Sequence, residues 1–278
     1  MSQPSELPEK LNILSAKDDD LGDIFSPGFL DRYEVHSYRN AARILASARS
    51  EEFAELVETL EDFQIKTADI AAPGGNKSPI VKEMEQILYS KGWYETRIRG
   101  DLHIGMEKKI PNAGDRNGTQ RRTTLTDVHH YVIKNFVDGH KIDFIKNRLA
   151  FDMEWNSKDQ TFDRDLYAAR TFYECGIIDA CILVTRSRHL APIFVEIGSR
   201  LDVGRNKFKQ KYGASTTWMG KLLYRLDAGR NGGCPVLAIG ITPKVIADFE
   251  EWKEQHPIIQ QKLEATDLIQ GEGDDVDD

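Results

Sequence analysis

The stretch Ile142 to Lys158, IDFIKNRLAFDMEWNSK, carries the side chains best suited to chemistry. Asp152, Glu154 and Asn156 are two apart, so on a β-strand they project from one face while Phe151, Met153 and Trp155 project from the other. Asp143 lies before them, across the short polar turn Lys146-Asn147-Arg148, which joins two strand-like runs, Ile142 to Ile145 and Leu149 to Trp155. With Asp143 on the neighbouring strand, its carboxylate converges with those of Asp152 and Glu154. Oxygen ligands grouped in this way suit a hard divalent cation such as Mg2+, and through it phosphate chemistry. Spacing alone does not separate this from the commoner case, acids on a strand forming a solvated face. The flanking sequence has to decide.

The elements that must position the stretch follow from periodicity. Tyr33 to Tyr38 reads as a strand and leads into amphipathic helices around Arg39 to Ala48 and Glu51 to Glu61, with Ser50 as the cap of the second. Lys77 to Tyr89 is a helix with Ser78 as its cap and Pro79 in its first turn. Its polar face offers Glu83 and Glu85 as candidate accessory acids, although surface glutamates on helices are common. Thr96 to Glu107 and Leu125 to Phe144 have extended character. His129 and His130 point to opposite faces there, and no zinc-type Cys/His spacing occurs. Further on, Phe162 to Glu174 reads as a helix, Gly176 to Ser187 as a strand, Ile193 to Leu201 as a helix, Cys234 to Thr242 as a strand and Pro243 to Gln255 as a helix. The alternation gives an α/β fold with a mixed central β-sheet flanked by helices. The expected organisation is a flexible segment over 1–27, one domain over 28–264 and an acidic disordered tail over 265–278.

The formal net charge of -8 argues against nucleic-acid binding only on average, because the terminal GEGDDVDD supplies five acidic side chains by itself. Two local segments are basic: Arg97 to Arg122, and Gly204 to Arg230 with Arg205, Lys207, Lys209, Lys211, Lys221, Arg225 and Arg230. Such segments are often solvated loops, but they can also line a phosphate-binding cleft. Within the second, Ser215, Thr216, Thr217 and Trp218 cluster, and hydroxyls among cations suit phosphate oxygens and base edges. The three cysteines, Cys175, Cys181 and Cys234, lie in or beside apolar runs and read as buried free thiols in a reducing cytoplasm. No stretch has the roughly 20 apolar residues of a membrane span, and the amino terminus lacks a signal-like pattern.

The segment IDFIKNRLAFDMEW resembles the active-site segment of the BglII/BstYI group of type II restriction endonucleases, a BamHI-related branch of the PD-(D/E)xK superfamily. The similarity runs from about Gly139 to Thr242, with VLAIGI as its later strand. The resemblance implies a restriction-endonuclease-like fold and Mg2+-dependent, sequence-specific hydrolysis of double-stranded DNA at a short palindrome, with a GATC core as one option. By position, Asp143 and Asp152 are direct metal ligands with the Met153 carbonyl, and Glu154 stands where most of the superfamily has lysine. A second frame, with Glu154 as the second acid and Asn156 as the third residue, stays open. Asn156, Ser157 and Lys158, with Ser215, Thr216, Thr217 and Lys221, are the candidate DNA contacts. A homodimer and a cognate DNA methyltransferase in the same system are further implications. The rival reading is a DNA-binding protein on the same scaffold, without cleavage or with a repair or nicking activity.

Overall fold

Two left-handed residues set the centre of the molecule. Asn147 (φ 42°) and Arg148 (φ 72°) form the two-residue loop between strand β4 (Leu125–Lys146) and strand β5 (Leu149–Glu154). Positive φ at both positions is the signature of a primed turn, whose twist matches that of paired strands. The strands pair antiparallel with Phe144 opposite Phe151, Ile145 opposite Ala150 and Lys146 opposite Leu149. The expected three-residue turn is thus one residue tighter, and Lys146 belongs to the ladder.

The structure, a computed structural model, describes residues 17–18, 20–73, 77–109, 125–201, 208 and 211–258. Contacts divide the chain into two compact units, Met1–Glu95 with Ile142–Asp278, and Thr96–Lys141. The remaining strands are β1 (Lys17–Asp18), β2 (Tyr33–Tyr38), β3 (Tyr94–Lys109), β6 (Ala180–Arg186) and β7 (Val236–Ile241). The seven strands are ordered β1-β2-β7-β6-β5-β4-β3. β5 and β6 are parallel, as are β6 and β7, whereas β2 runs antiparallel to β7, which makes the sheet mixed as expected.

The helices are α1 (Pro27–Arg32), α2 (Ala41–Ala48), α3 (Ser50–Asp62), α4 (Thr67–Ala71), α5 (Pro79–Ser90), α6 (Thr161–Glu174), α7 (Ala191–Arg200), α8 (Met219–Asp227) and α9 (Phe249–Gln255). Leu149, Phe151 and Met153 of β5 join Ile182, Val184, Leu237 and Ile239 in the main core, against Leu45, Leu56, Met84 and Ile197 from the helices. The opposite face is also covered: α6 packs on β6 and α8 on β7, burying Leu166, Phe172, Leu222 and Leu226. Every residue of β5 is therefore buried. A strand covered on both faces has no solvated side, which removes the bland account of its acids.

Local chemistry explains the helix starts. Ser78 accepts from the Ile80 N–H at 3.2 Å, with Pro79 at the first position, as the sequence implied. Ser26 and Pro27 repeat the device in α1, where the Phe29 N–H donates to the Ser26 hydroxyl at 3.0 Å. That helix lies at the edge of the segment expected to be loose, and Phe25, within the segment, is buried and stacked on Phe29. Ser50 is the first residue of α3 rather than its cap; Arg49 occupies the cap position without a side-chain bond. Cys181 and Cys234 are buried free thiols, whereas Cys175, at the end of α6, is exposed. Among the described residues no helix is long and apolar enough to cross a membrane. Residues 1–16 and the tail 265–278 lie outside the described residues.

In the second unit, β3 and β4 carry opposed charges. Arg97 and Arg99 lie 3.7 and 3.8 Å from Asp138, and Lys134 lies 3.3 Å from Asp101. His129 and His130 are exposed on β4. The rest of the first basic segment, 110–122, falls outside the described residues.

Candidate active site

The turn between β4 and β5 is clamped from two sides. Lys146 Nζ donates to Glu55 Oε1 at 2.9 Å and to the Lys91 carbonyl at 2.8 Å, and Asn147 Nδ2 donates to Glu52 Oε1 at 2.5 Å. Arg148 Nη2 meets Asp179 Oδ1 at 2.6 Å, and Arg49 Nε reaches Oδ2 of the same aspartate at 2.7 Å. These charge-assisted bonds fix the register, and in that register the next pair beyond Phe144 and Phe151 is Asp143 and Asp152. Directly opposed residues of an antiparallel pair share a face, so both carboxylates fall on one side of the sheet. Asp152 Oδ1 accepts the Asp143 backbone N–H at 3.0 Å.

Asp152 and Glu154 are only 4% and 7% exposed. A third acid completes the cluster from α6: Asp165, 3% exposed. Burial pushes Asp152 well above the usual carboxylate range, and the charges of Asp165, Asp143 and Glu154 add to the rise. Glu154 is raised to about 7 by burial and the Asp165 carboxylate, against the Ser157 hydrogen bond and the Arg164 charge. Asp165 is raised to about 6 by burial, with Arg164 opposing. The nearest cation is Arg164, whose Nη2 lies 2.8 Å from Asp165 Oδ1 and 3.5 Å from Glu154 Oε1. One guanidinium among four carboxylates leaves the cluster electron-rich. Sequence reasoning missed Arg164 and Asp165; the signal available was an Arg-Asp pair one turn into the helix that follows β5.

A cavity of about 360 Å³ opens on two members of this cluster, Asp143 and Glu154, and is lined also by Met153, Asn156 and Ser157 together with Asp69, Ser78 and Lys211. The start of α5 therefore faces the site, but its expected acids do not. Glu85 pairs with Lys77, and Glu83 lines a separate groove with Asp62 and Lys66. The acid that α4 contributes to the cavity wall is Asp69. Lys211 donates from Nζ to the Ile70 carbonyl at 2.8 Å and to that of Ala72, and burial lowers its ammonium to about 8.

The two segments expected to meet DNA are brought together. Lys158 bridges to Thr216, the Thr217 N–H donates to the Ser157 carbonyl at 2.9 Å, and the Asp159 N–H donates to the Ser215 carbonyl at 2.9 Å. Within this pairing the hydroxyls differ. Thr217 is fully buried and donates to the Glu154 carbonyl at 3.3 Å, while Thr216 takes Arg186 Nη2 at 2.6 Å and donates to the Gly213 carbonyl. The Thr217 hydroxyl is thus spent on the end of β5 and the Thr216 hydroxyl on Arg186 and Gly213; Lys158 and Ser215 are the exposed members of the set. Lys221 sits on α8, not on a loop, 3.8 Å from Asp159, and Arg225 and Arg230 both engage Asp163. The basic segment is thus tied down internally at each of these positions; Arg205, Lys207 and Lys209 lie outside the described residues.

The donor set fits a hard divalent cation: carboxylate oxygens, buried, mutually repelling, with Asp165 Oδ2 buried and lacking any hydrogen-bond partner. Among the described residues no three His, Cys, Asp or Glu side chains are already grouped around a common point. Asp152 turns Oδ1 toward the Asp143 N–H, and Glu154 is shared between Ser157, Arg164 and Asp165.

No curated protein matched the chain. The family model described as Restriction endonuclease BglII/BglIII matches residues 33–241, which runs from the first residue of β2 to the last of β7 and encloses the whole acid cluster. The chain belongs to the BglII/BglIII restriction endonuclease family and is a type II site-specific deoxyribonuclease.

Proposed function

We propose that the enzyme cleaves both strands of a short palindromic DNA site in a Mg2+-dependent reaction centred on Asp143, Asp152 and Glu154. The observation that carries this reading is the buried cluster itself: the Asp143 N–H meets Asp152 at 3.0 Å, with Glu154 two residues further along β5 and on the same face. Burying acids side by side is costly and gains nothing structurally, so a ligand that needs them is the economical explanation.

Asp143 and Asp152 would hold the metal, with Met153 at the cavity wall. When bound, Mg2+ lowers the pKa of a water and stabilises negative charge on the phosphorane-like transition state. Glu154, raised to about 7, is poised to orient that water and accept its proton. Lys158 and Ser215 reach toward DNA from the rim, and Asn156 presents its amide in the cavity, donating Nδ2 to the Lys211 carbonyl at 2.9 Å. A palindromic target calls for a homodimer with one site per strand, and a companion methyltransferase would protect the host's own sites. A GATC core, and action inside the cell where Cys181 and Cys234 stay reduced, complete the proposal.

Incubation with unmethylated DNA of diverse sequence tests this reading: discrete fragments with Mg2+ support it, and fragments that form equally well without a divalent cation count against it.

A further inference from the structure

Asp165 is anomalous for a structural residue. It is 3% exposed, and its Oδ1 accepts two bonds from the Arg164 guanidinium, at 3.0 Å from Nε and 2.8 Å from Nη2. Its Oδ2 is buried with no donor. Facing it is Glu154, whose carboxyl donates a hydrogen bond to Asp165 while it keeps its proton and supplies no donor once ionised, the form in which it would face a cation. An unsatisfied buried carboxylate oxygen is expensive, and natural structures keep one where a ligand or its water completes the bonding. Arg164 has the opposite character. Its side chain is 67% exposed, yet its tip is anchored on Asp165 and reaches 3.5 Å from Glu154.

We propose that Asp165 is a positioning residue of the metal site, its Oδ2 accepting a hydrogen bond from water on the bound divalent cation, and that Arg164 is the resident counter-charge which that cation offsets. The proposal rests on the metal-dependent reading above. It predicts opposite effects for two neighbouring side chains. Removing the Asp165 charge weakens metal binding, because the site loses a carboxylate and an acceptor. Removing the Arg164 charge strengthens it, because a competing cation beside Glu154 is gone. Two residues that merely held α6 in place would shift it in the same direction.

The test is Ca2+ titration of the full chain by calorimetry, without turnover, on the wild type and on Asp165→Asn, Arg164→Gln and Asp152→Asn, with melting temperatures recorded in the absence of Ca2+. We expect Asp165→Asn to bind about 10–100-fold more weakly, the range for a residue behind the direct ligands, with no loss of melting temperature. Arg164→Gln should bind severalfold more tightly. Wild-type affinity in Asp165→Asn, or weaker binding in Arg164→Gln, would overturn the proposal. Should Asp165→Asn not fold, Arg164→Gln decides alone, its melting temperature first showing that the fold survives the loss of the two bonds to Asp165. Asp152→Asn tests the underlying reading separately: if it binds Ca2+ as the wild type does, the metal site itself is misassigned.

Discussion

The Asp143 backbone N–H donates to Asp152 Oδ1 at 3.0 Å, at the point where the next rung of the β4–β5 ladder would form. The contact lies one residue beyond the pair Phe144 and Phe151, so a side chain adds a bond between the strands where the backbone pairing ends. The same contact keeps two acids on opposed strands within one cluster although their charges repel.

Asp152→Asn is expected to abolish cleavage while leaving the fold intact. The amide matches the carboxylate in shape and removes a buried charge that burial and three neighbouring acids disfavour. Turnover should fall about 10³-fold, the scale of losing one group that stabilises transition-state charge. The melting temperature should stay equal or rise. Single-turnover cleavage and thermal unfolding on the same sample check both halves.

The raised acids give stability a defined pH dependence. Glu154 shifts from its ordinary 4.5 to about 7, and Asp165 rises to about 6, so the fold favours their neutral forms. Well below 3.8, the ordinary value of the aspartate, both groups are neutral whether folded or not and cost nothing. As pH rises toward 7 the unfolded chain ionises first, so their destabilising contribution grows and is complete above pH 7. A divalent cation favours the ionised form. Ca2+ should therefore raise the melting temperature more at pH 8 than at pH 5.5; an equal shift at both would count against this assignment.

Asn147→Val should destabilise the enzyme by about 1–2 kcal/mol, because a β-branched side chain resists the left-handed conformation held at φ 42°. The loss of the Asn147 bond to Glu52 adds to it. Since this turn sets the register of Asp143 against Asp152, cleavage should fall further than stability implies. Urea unfolding and cleavage rates measured on one preparation separate the two.

Lys158→Ala and Lys221→Ala probe the rim. If each lysine meets a phosphate, each substitution weakens binding to all sequences alike and lowers the slope of log affinity against log salt by about 1. Lys221 must give up Asp159, 3.8 Å away, to do so, and its effect should be the smaller. Binding in Ca2+ at several salt concentrations provides the measurement.

Much of the fold was legible because its signals are local. The Ser78-Pro79 helix start, the Leu149–Glu154 strand and the apolar runs of β6 and β7 each declare themselves within a few residues. The acid cluster was legible only in part. Asp143, Asp152 and Glu154 share a hairpin, so their spacing reports their proximity, but Asp165 reaches them through the packing of α6, which no local pattern encodes. α8 was hidden for a related reason: its lysine and arginine, within a basic segment, suggested a solvated loop, whereas Arg225 is buried against Asp163. Thr217, expected at the DNA, proves to support Glu154 because its neighbours in space lie 63 residues away.

If Asp143 belongs to a divalent-metal site that cuts DNA at one sequence, cleavage must depend on both the side chain and the metal. End mapping on a sequenced, unmethylated plasmid incubated with Mg2+, comparing the wild type with Asp143→Ala, measures this. The wild type should leave discrete ends at a single palindromic site, and the variant, or the wild type after chelation of the metal, should leave none. Unchanged cleavage by Asp143→Ala, or cutting that survives chelation, would contradict this assignment.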